Sequence, residues 1–205
     1  GNLGNILNFN DLSKENIYVL DSPILSNSQF EKFKDYFKEN YRIIECTFNK
    51  EDTLKVALDR IRSSVEIAAR EGIKQIILTD KIIDENTLAI PMVLAVGAVN
   101  SHLIQKSLRG FISLNVQTGD VLDTHSYATL LGVGATTINP YLALDTICQR
   151  FEKNLFGKFD IEDCIKRYIK SVDNGLLKIM SKMGISVLSS YRGGCNFETV
   201  GLSRA

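Results

Sequence analysis

The sequence is poor in the residue types that build metal and nucleophile sites. It has two histidines and four cysteines in 205 residues. Cys46, Cys148, Cys164 and Cys195 form no C-x-x-C pair, and no Cys/His spacing fits zinc. Buried, reduced thiols are expected instead, with Cys46 set inside the apolar run RIIECTF. There is no excess of either charge, since Lys+Arg 24 balances Asp+Glu 24. The basic residues are interleaved with acids, as in KNLFGKFDIEDCIKRYIK, which reads as a solvated helix face. A nucleic-acid partner needs clustered positive charge, so none is expected. The chain also lacks a run of 18 apolar residues, a signal peptide and a lipidation motif, which argues against a membrane partner. A cytoplasmic, reducing location is the expectation. The first residue is Gly1 rather than Met, which reads as a chain processed or cut from something longer.

What is present is an ordinary globular balance, 44% hydrophobic and 23% charged. A chain of this length suits one domain with a core that needs no disulfide or metal staple. Apolar periodicity alternates between short β-branched runs and helical stripes. The segments IYVL (17–20), YRIIECTF (41–48), KQIILTD (74–80), FISLNVQTGD (111–120), ATTI (135–138) and ISVLSS (185–190) read as six strands. A helix is expected from a cap at Ser26 or Asn27 to about Asn40, with Phe30, Phe33 and Phe37 on one face. The next, EDTLKVALDRIRSSVEIAAREG, turns Leu54, Val56, Ala57, Ile61, Val65 and Ala68 to the core and ends at Gly72. LAIPMVLAVGAVNSHLIQKSLRG reads as a buried apolar helix with Pro91 in its first turn and Gly110 at its end. THSYATLLG, NPYLALDTICQRF with an Asn139 N-cap and Pro140 at N1, an amphipathic stretch over 160–183, and a last helix starting in GGCNFETVG complete the set. Strands alternating with helices predict an α/β domain with a mainly parallel sheet, as an open sheet or a distorted partial barrel.

The densest chemical-looking stretch is HSYATLLGVGATTINPYLAL (125–144), with its Gly132-Val133-Gly134. A dinucleotide fingerprint needs G-x-G-x-x-G between a strand and a following helix. Here the pair follows a helix and precedes a strand, and Thr137 stands where the third glycine belongs. The pair reads as a helix C-terminal turn whose first glycine supplies a positive φ. His102 and His125 have no acidic neighbour at metal-binding spacing. Thr79, Ser189 and Ser190 lack a nucleophile elbow. Asp80 follows IILT at a strand C-terminal end, where it either binds a ligand or caps the next segment.

Five stretches taken together carry more information than these single residues. DSPILSN, IILTD, AIPMVLAVGAVNSHLIQKSLR, HSYATLLGVGATTINPYLALDTI and NGLLKIMSKMGISVLSSYRGGCNFETVGL resemble, in the same order, the central domain of glutamate synthase. The resemblance runs from about Leu20 to Leu202. Departures are small: Asn100-Ser101-His102 and Thr124-His125 stand where the family often has paired histidines, and Val133 where it often has an aromatic. The resemblance implies a large enzyme that makes L-glutamate from L-glutamine and 2-oxoglutarate. A glutaminase domain with a cysteine at its first residue releases ammonia, which passes internally to an FMN-binding β/α barrel carrying an iron–sulfur cluster. A β-helical domain follows.

Mapped onto this chain, the catalytic parts are missing. Position 1 is glycine, no cysteine cluster suits an iron–sulfur centre, and the chain stops at GLSRA, about where the flavin barrel begins in the family. Residues 1–205 are therefore expected to form one connector domain with no catalytic residue, metal or cofactor of its own. FMN and the iron–sulfur cluster belong to the parent enzyme by resemblance, and the partners are the glutaminase and FMN-binding domains. The alternative is a free-standing small-molecule-binding or catalytic α/β domain using Asp80 and Ser189. Within the connector, Tyr191 and Arg192 are the candidate interdomain contact, because they lie nearest the expected barrel and are common anchor types. The simpler expectation for Arg192 is a pairing with Glu198 or plain solvation.

Overall fold

The computed structural model describes residues 18–194 and 196–201. Six strands and seven α-helices are found among them. The strands are β1 (Tyr41–Glu45), β2 (Thr47–Asn49), β3 (Gln75–Thr79), β4 (Thr87–Ala89), β5 (Ser113–Gln117) and β6 (Thr137–Asn139). The helices are α1 (Asn27–Phe37), α2 (Leu54–Arg70), α3 (Met92–Gln105), α4 (Thr124–Val133), α5 (Tyr141–Glu152), α6 (Ile161–Lys182) and α7 (Leu188–Tyr191). A four-stranded sheet runs β1-β3-β5-β6 with every pairing parallel, and β2 and β4 form a separate antiparallel pair. The expected α/β class with a mainly parallel sheet is what the chain adopts.

The strand order follows the sequence order, so the sheet is wound in one direction as in a barrel. Right-handed crossovers in such a sheet put their helices on one face, where α2, α3 and α4 lie side by side and α6 covers α4. Strand alternation sends Ile76, Leu78, Leu114, Val116 and Ile138 into that main core. Ile77 faces the other way and meets Leu25, Phe30 and Phe33 of the α1 region.

Local chemistry sets the element ends. Ser26 caps α1 in a reciprocal capping box with Gln29, worth about 1 kcal/mol against alanine. Helices α2 and α3 end in paired bonds from the two residues past the cap, and α4 in the same pair from its cap Gly134 and Ala135, with Gly72, Ser107 and Gly134 at positive φ (86°, 57° and 128°). Serine at 107 therefore ends α3, not Gly110, which lies in a 3-10 turn over Arg109–Phe111.

Several expected elements are displaced. Tyr18–Leu20 is not a strand: Tyr18 packs on Phe33, Tyr36 and Phe37, and Val19 is exposed. Ile17 lies outside the described residues. The chain reaches the sheet four residues later, where Ile24 bridges Ile138, with Leu25 N–H on Ile138 O and Ile138 N–H on Pro23 O, both 2.8 Å. That bridge occupies the outer edge of β6. The run 41–48 divides at Cys46, whose N–H donates to Thr79 O while its C=O accepts from Ile90, so one residue switches the chain from β3 to the β4 side. ISVLSS forms no strand. Leu188 and Tyr191, three apart, share a face in helix α7 but would point oppositely in a strand, and Tyr191 is fully buried. The last helix expected from GGCNFETVG is absent too: residues 196–201 carry no helix, and Cys195 lies outside the described residues. Asn139 ends β6 rather than capping α5, whose N-cap is Pro140. Val56 faces solvent on α2, while Ala57, Ile61, Val65 and Ala68 are buried as expected.

Candidate functional site

The C-terminal ends of the parallel strands are where α/β folds present ligand-binding groups. Asp80, just past β3, is 3% exposed. Its carboxylate accepts from the Thr118 hydroxyl and from Gly119 N–H at 3.1 and 3.2 Å. Thr118 Oγ1 then accepts from Asp120 N–H, and the Asp120 carboxylate accepts from Met92 N–H at 2.9 Å. Asp80 thus ties β3 to the turn after β5, and through Asp120 to the start of α3. Burial raises its pKa above the ordinary carboxylate value, against the lowering effect of these donors. Burial and the Asp80 charge together push the Tyr141 hydroxyl up to about 12. The local cap of the next segment expected as one role of Asp80 is not formed: the carboxylate bonds Thr118, 38 residues on, and Lys81 N–H donates to Thr79 Oγ1 instead.

A second polar feature, on the α1-facing side of the sheet, has no counterpart among the sequence candidates. Asn115 Nδ2 donates to Gln75 Oε1 at 3.0 Å, and Thr137 Oγ1 donates to Asn115 Oδ1 at 2.8 Å. One layer further along the strands, Thr79 donates to Gln117, Gln117 to Asn139, and Asn139 to Leu25 O and Asn27 Oδ1. These are two cross-strand ladders whose amides satisfy one another. Among the described residues no buried side-chain polar atom lacks a partner. Such a network fixes register. The only signal in the sequence is the alternation of amides with apolar residues in SLNVQ.

At the Gly132-Val133-Gly134 turn, the second glycine, not the first, holds the positive φ, while Gly132 is the last buried turn of α4. A Cβ on Gly134 would come within 2.5 Å of Asn100 Cγ, and one on Gly132 within 2.5 Å of the Phe197 ring. The turn therefore presents a helix C-terminus, whose carbonyls repel phosphate. Those carbonyls are met by donors: Arg109 Nη2 on Gly134 O at 2.9 Å and Gly193 N–H on Leu131 O at 3.3 Å. Arg109 also donates to Asn100 Oδ1 and to Ile112 O, both at 2.6 Å. Burial, and then the charge of Arg192, lower its pKa to about 10.

The remaining sequence candidates are dispersed. His102 Nε2 lies 2.7 Å from Glu66 Oε2, whose carboxyl is held below its usual pKa by Arg70 first and His102 second. His125 is exposed and meets the edge of Phe197. Ser189 and Ser190 are exposed on α7, and Thr79 is committed to the amide ladder. Cys46 and Cys164 are buried and free, and burial pushes the Cys46 thiol up to about 12. Tyr191 is buried, donating to Ala128 O at 3.2 Å, whereas Arg192 is half-buried and follows α7 in extended backbone. A groove of about 610 Å3 runs between residues 18–32 and α6, lined by both signs of charge, including Asp21, Lys32, Lys166 and Asp173.

No described helix is long and apolar enough to cross a membrane. The fold is similar to that of a mutant flavocytochrome b2 with benzoylformate, 13% identical at a TM-score of 0.53, covering 86% of this chain and 41% of that one. A second flavocytochrome b2, with sulfite bound, is 15% identical at a TM-score of 0.53, over 88% and 42%. At such identities the likeness is one of fold, to TIM-barrel-like flavoenzymes. Sequence relatives are closer. The chain is 50% identical to the glutamate synthase [NADPH] large chain of Azospirillum brasilense, across 100% of this chain and 14% of that protein. It is 39% identical to the corresponding chain of Bacillus subtilis, over 90% and 12%, and 38% identical to the ferredoxin-dependent chloroplastic glutamate synthase of Spinacia oleracea, over 100% and 13%. The chain thus spans about a seventh or less of the relatives it matches. The family described as glutamate synthase central domain matches residues 1–203, and the chain belongs to it.

Proposed function

We propose that this domain is a non-catalytic connector in a larger polypeptide that makes L-glutamate from L-glutamine and 2-oxoglutarate. It sits between a glutaminase domain and an FMN-binding synthase domain carrying the iron–sulfur cluster, and it ends about where the flavin barrel begins. The observation that supports this reading most is the family match across residues 1–203 combined with relatives some seven times longer. The geometry supports it as well. Asp80 is bonded into an internal joint, the amide ladders bond strand to strand, and the glycine turn is a helix C-terminus. None of these is arranged to hold a reacting atom.

Two experiments test the reading. The parent reading frame should encode a glutaminase domain upstream and a flavin-binding barrel downstream. The isolated chain should carry no flavin absorbance, release no ammonia from glutamine and form no glutamate. Flavin retained through purification, or ammonia release above the uncatalysed rate, refutes the non-catalytic assignment. The cytoplasmic location is part of the same proposal.

A further inference from the structure

Two guanidinium groups without an acidic partner among the described residues lie near the end of α4. Arg109 is held by three neutral acceptors, namely the Asn100 side chain, Ile112 O and Gly134 O. The last turn of α4 links it to the second arginine. Gly193, the residue after Arg192, donates its N–H to Leu131 O at 3.3 Å, and a Cβ added to it would lie 3.7 Å from Asn100 Nδ2. The last turn of α4 therefore holds both the Arg109 side chain, at Gly134 O, and the backbone next to Arg192, at Leu131 O, and the positive charge of Arg192 lowers the Arg109 pKa further. Among the described residues neither arginine makes an ion pair, and Glu198, the nearest acid in sequence to Arg192, is exposed and does not bridge to it. The α4 C-terminus supplies about half a negative charge against two whole positive ones. A partly buried positive charge without a counter-ion is costly, and the cost is relieved by a carboxylate that arrives with a partner.

We infer that Arg109 and Arg192 form a docking site for a carboxylate side chain from another domain of the longer glutamate synthase polypeptide. The inference rests on the connector function proposed above, and it names the chemistry of the contact. The occupant is a protein carboxylate because relatives extend far beyond this domain and because two guanidinium groups suit the planar, bidentate geometry of an Asp or Glu. Tyr191 contributes from within, since its buried ring and its bond to Ala128 O anchor α7 and so fix where Arg192 begins.

The test uses the full-length polypeptide and a zero-length carbodiimide, which joins an amine to a carboxylate in contact with it. Arg192→Lys and Arg109→Lys keep the charge and each introduce a reactive amine. In at least one variant the introduced amine should be joined to an Asp or Glu of another domain, as located by peptide mass spectrometry. That crosslink should be lost when the carboxylate so located is changed to its amide. A crosslink only to Glu198 or to another acid within residues 1–205 overturns the proposal. So does the absence of any crosslink at both positions while surface lysines elsewhere react. Coupling between glutamine hydrolysis and glutamate formation is measured separately. An interdomain crosslink with unimpaired coupling in Arg192→Ala retains the docking site and refutes the connector function; impaired coupling with no interdomain crosslink does the reverse.

Discussion

Replacing Gly134 by alanine isolates the strain and crowding of the α4 turn. Two costs combine at this position. A φ of 128° is outside the range alanine tolerates, which costs about 1 kcal/mol or more. The added Cβ would also lie 2.5 Å from Asn100 Cγ and 2.6 Å from its Oδ1. Asn100 cannot withdraw freely, because Oδ1 accepts from Arg109 Nε at 2.6 Å, and a bond to a charged donor is worth roughly 1.5–3 kcal/mol. The expected loss is about 3 kcal/mol, which lowers the melting temperature of a chain this size by roughly 6–12 °C. Gly72→Ala is the control. Its φ is 86°, but nothing lies within 4 Å of the added Cβ, so only the backbone cost of about 1 kcal/mol applies. Urea denaturation of the two variants and the wild type measures the difference. If Gly134→Ala is no more destabilising than Gly72→Ala, the packing argument fails. Micromolar nucleotide binding weakened by Gly134→Ala would instead revive a phosphate loop.

Gly132→Ala should behave differently, because its clash is with the Phe197 ring on a segment without regular structure. Alanine favours the helix by up to about 1 kcal/mol, so global stability changes little while amide exchange rises around Phe197; unchanged exchange there refutes the contact. Asp80→Asn removes a buried charge whose folded-state pKa is raised. The native state binds the proton more tightly than the unfolded chain, so wild-type stability rises relative to the variant as pH falls through the raised folded-state pKa toward the ordinary carboxylate range near 4. A stability difference that is flat over that range, or that moves against the wild type on acidification, contradicts the burial argument.

The helical faces were the most legible part of the sequence. Phe30 and Phe33 in α1, and Ala57, Ile61, Val65 and Ala68 in α2, are buried where their spacing puts them. Strands with a β-branched apolar run between turn signals, such as Gln75–Thr79, were equally clear. The misplaced pieces share a physical cause. IYVL and ISVLSS are short apolar runs with no intrinsic preference strong enough to settle their state, and which segment takes the β6 edge is decided by tertiary fit at Ile24. The position of Gly134 rather than Gly132 at positive φ depended on where α4 stopped, which pattern alone fixes only to within a residue or two. Arg109 was invisible because its three acceptors come from residues 100, 112 and 134, two of them backbone carbonyls. Arg192 is singled out by its place in the chain, yet the approach of its neighbour Gly193 to the α4 turn that also holds Arg109 exists only in the folded molecule.

The connector function is tested most directly by how glutamine-derived ammonia is partitioned in the full-length polypeptide, in wild type and in Arg192→Ala. Arg192 takes part in no ion pair among the described residues, so its truncation should not lower the melting temperature of residues 1–205 on their own. Loss of a desolvated charge contact between domains, by contrast, can cost several kcal/mol. The account predicts that the variant releases more free ammonia per glutamate formed from glutamine, while glutamate formation from added ammonia proceeds as in the wild type. An unchanged partition in a variant of unchanged stability would contradict it.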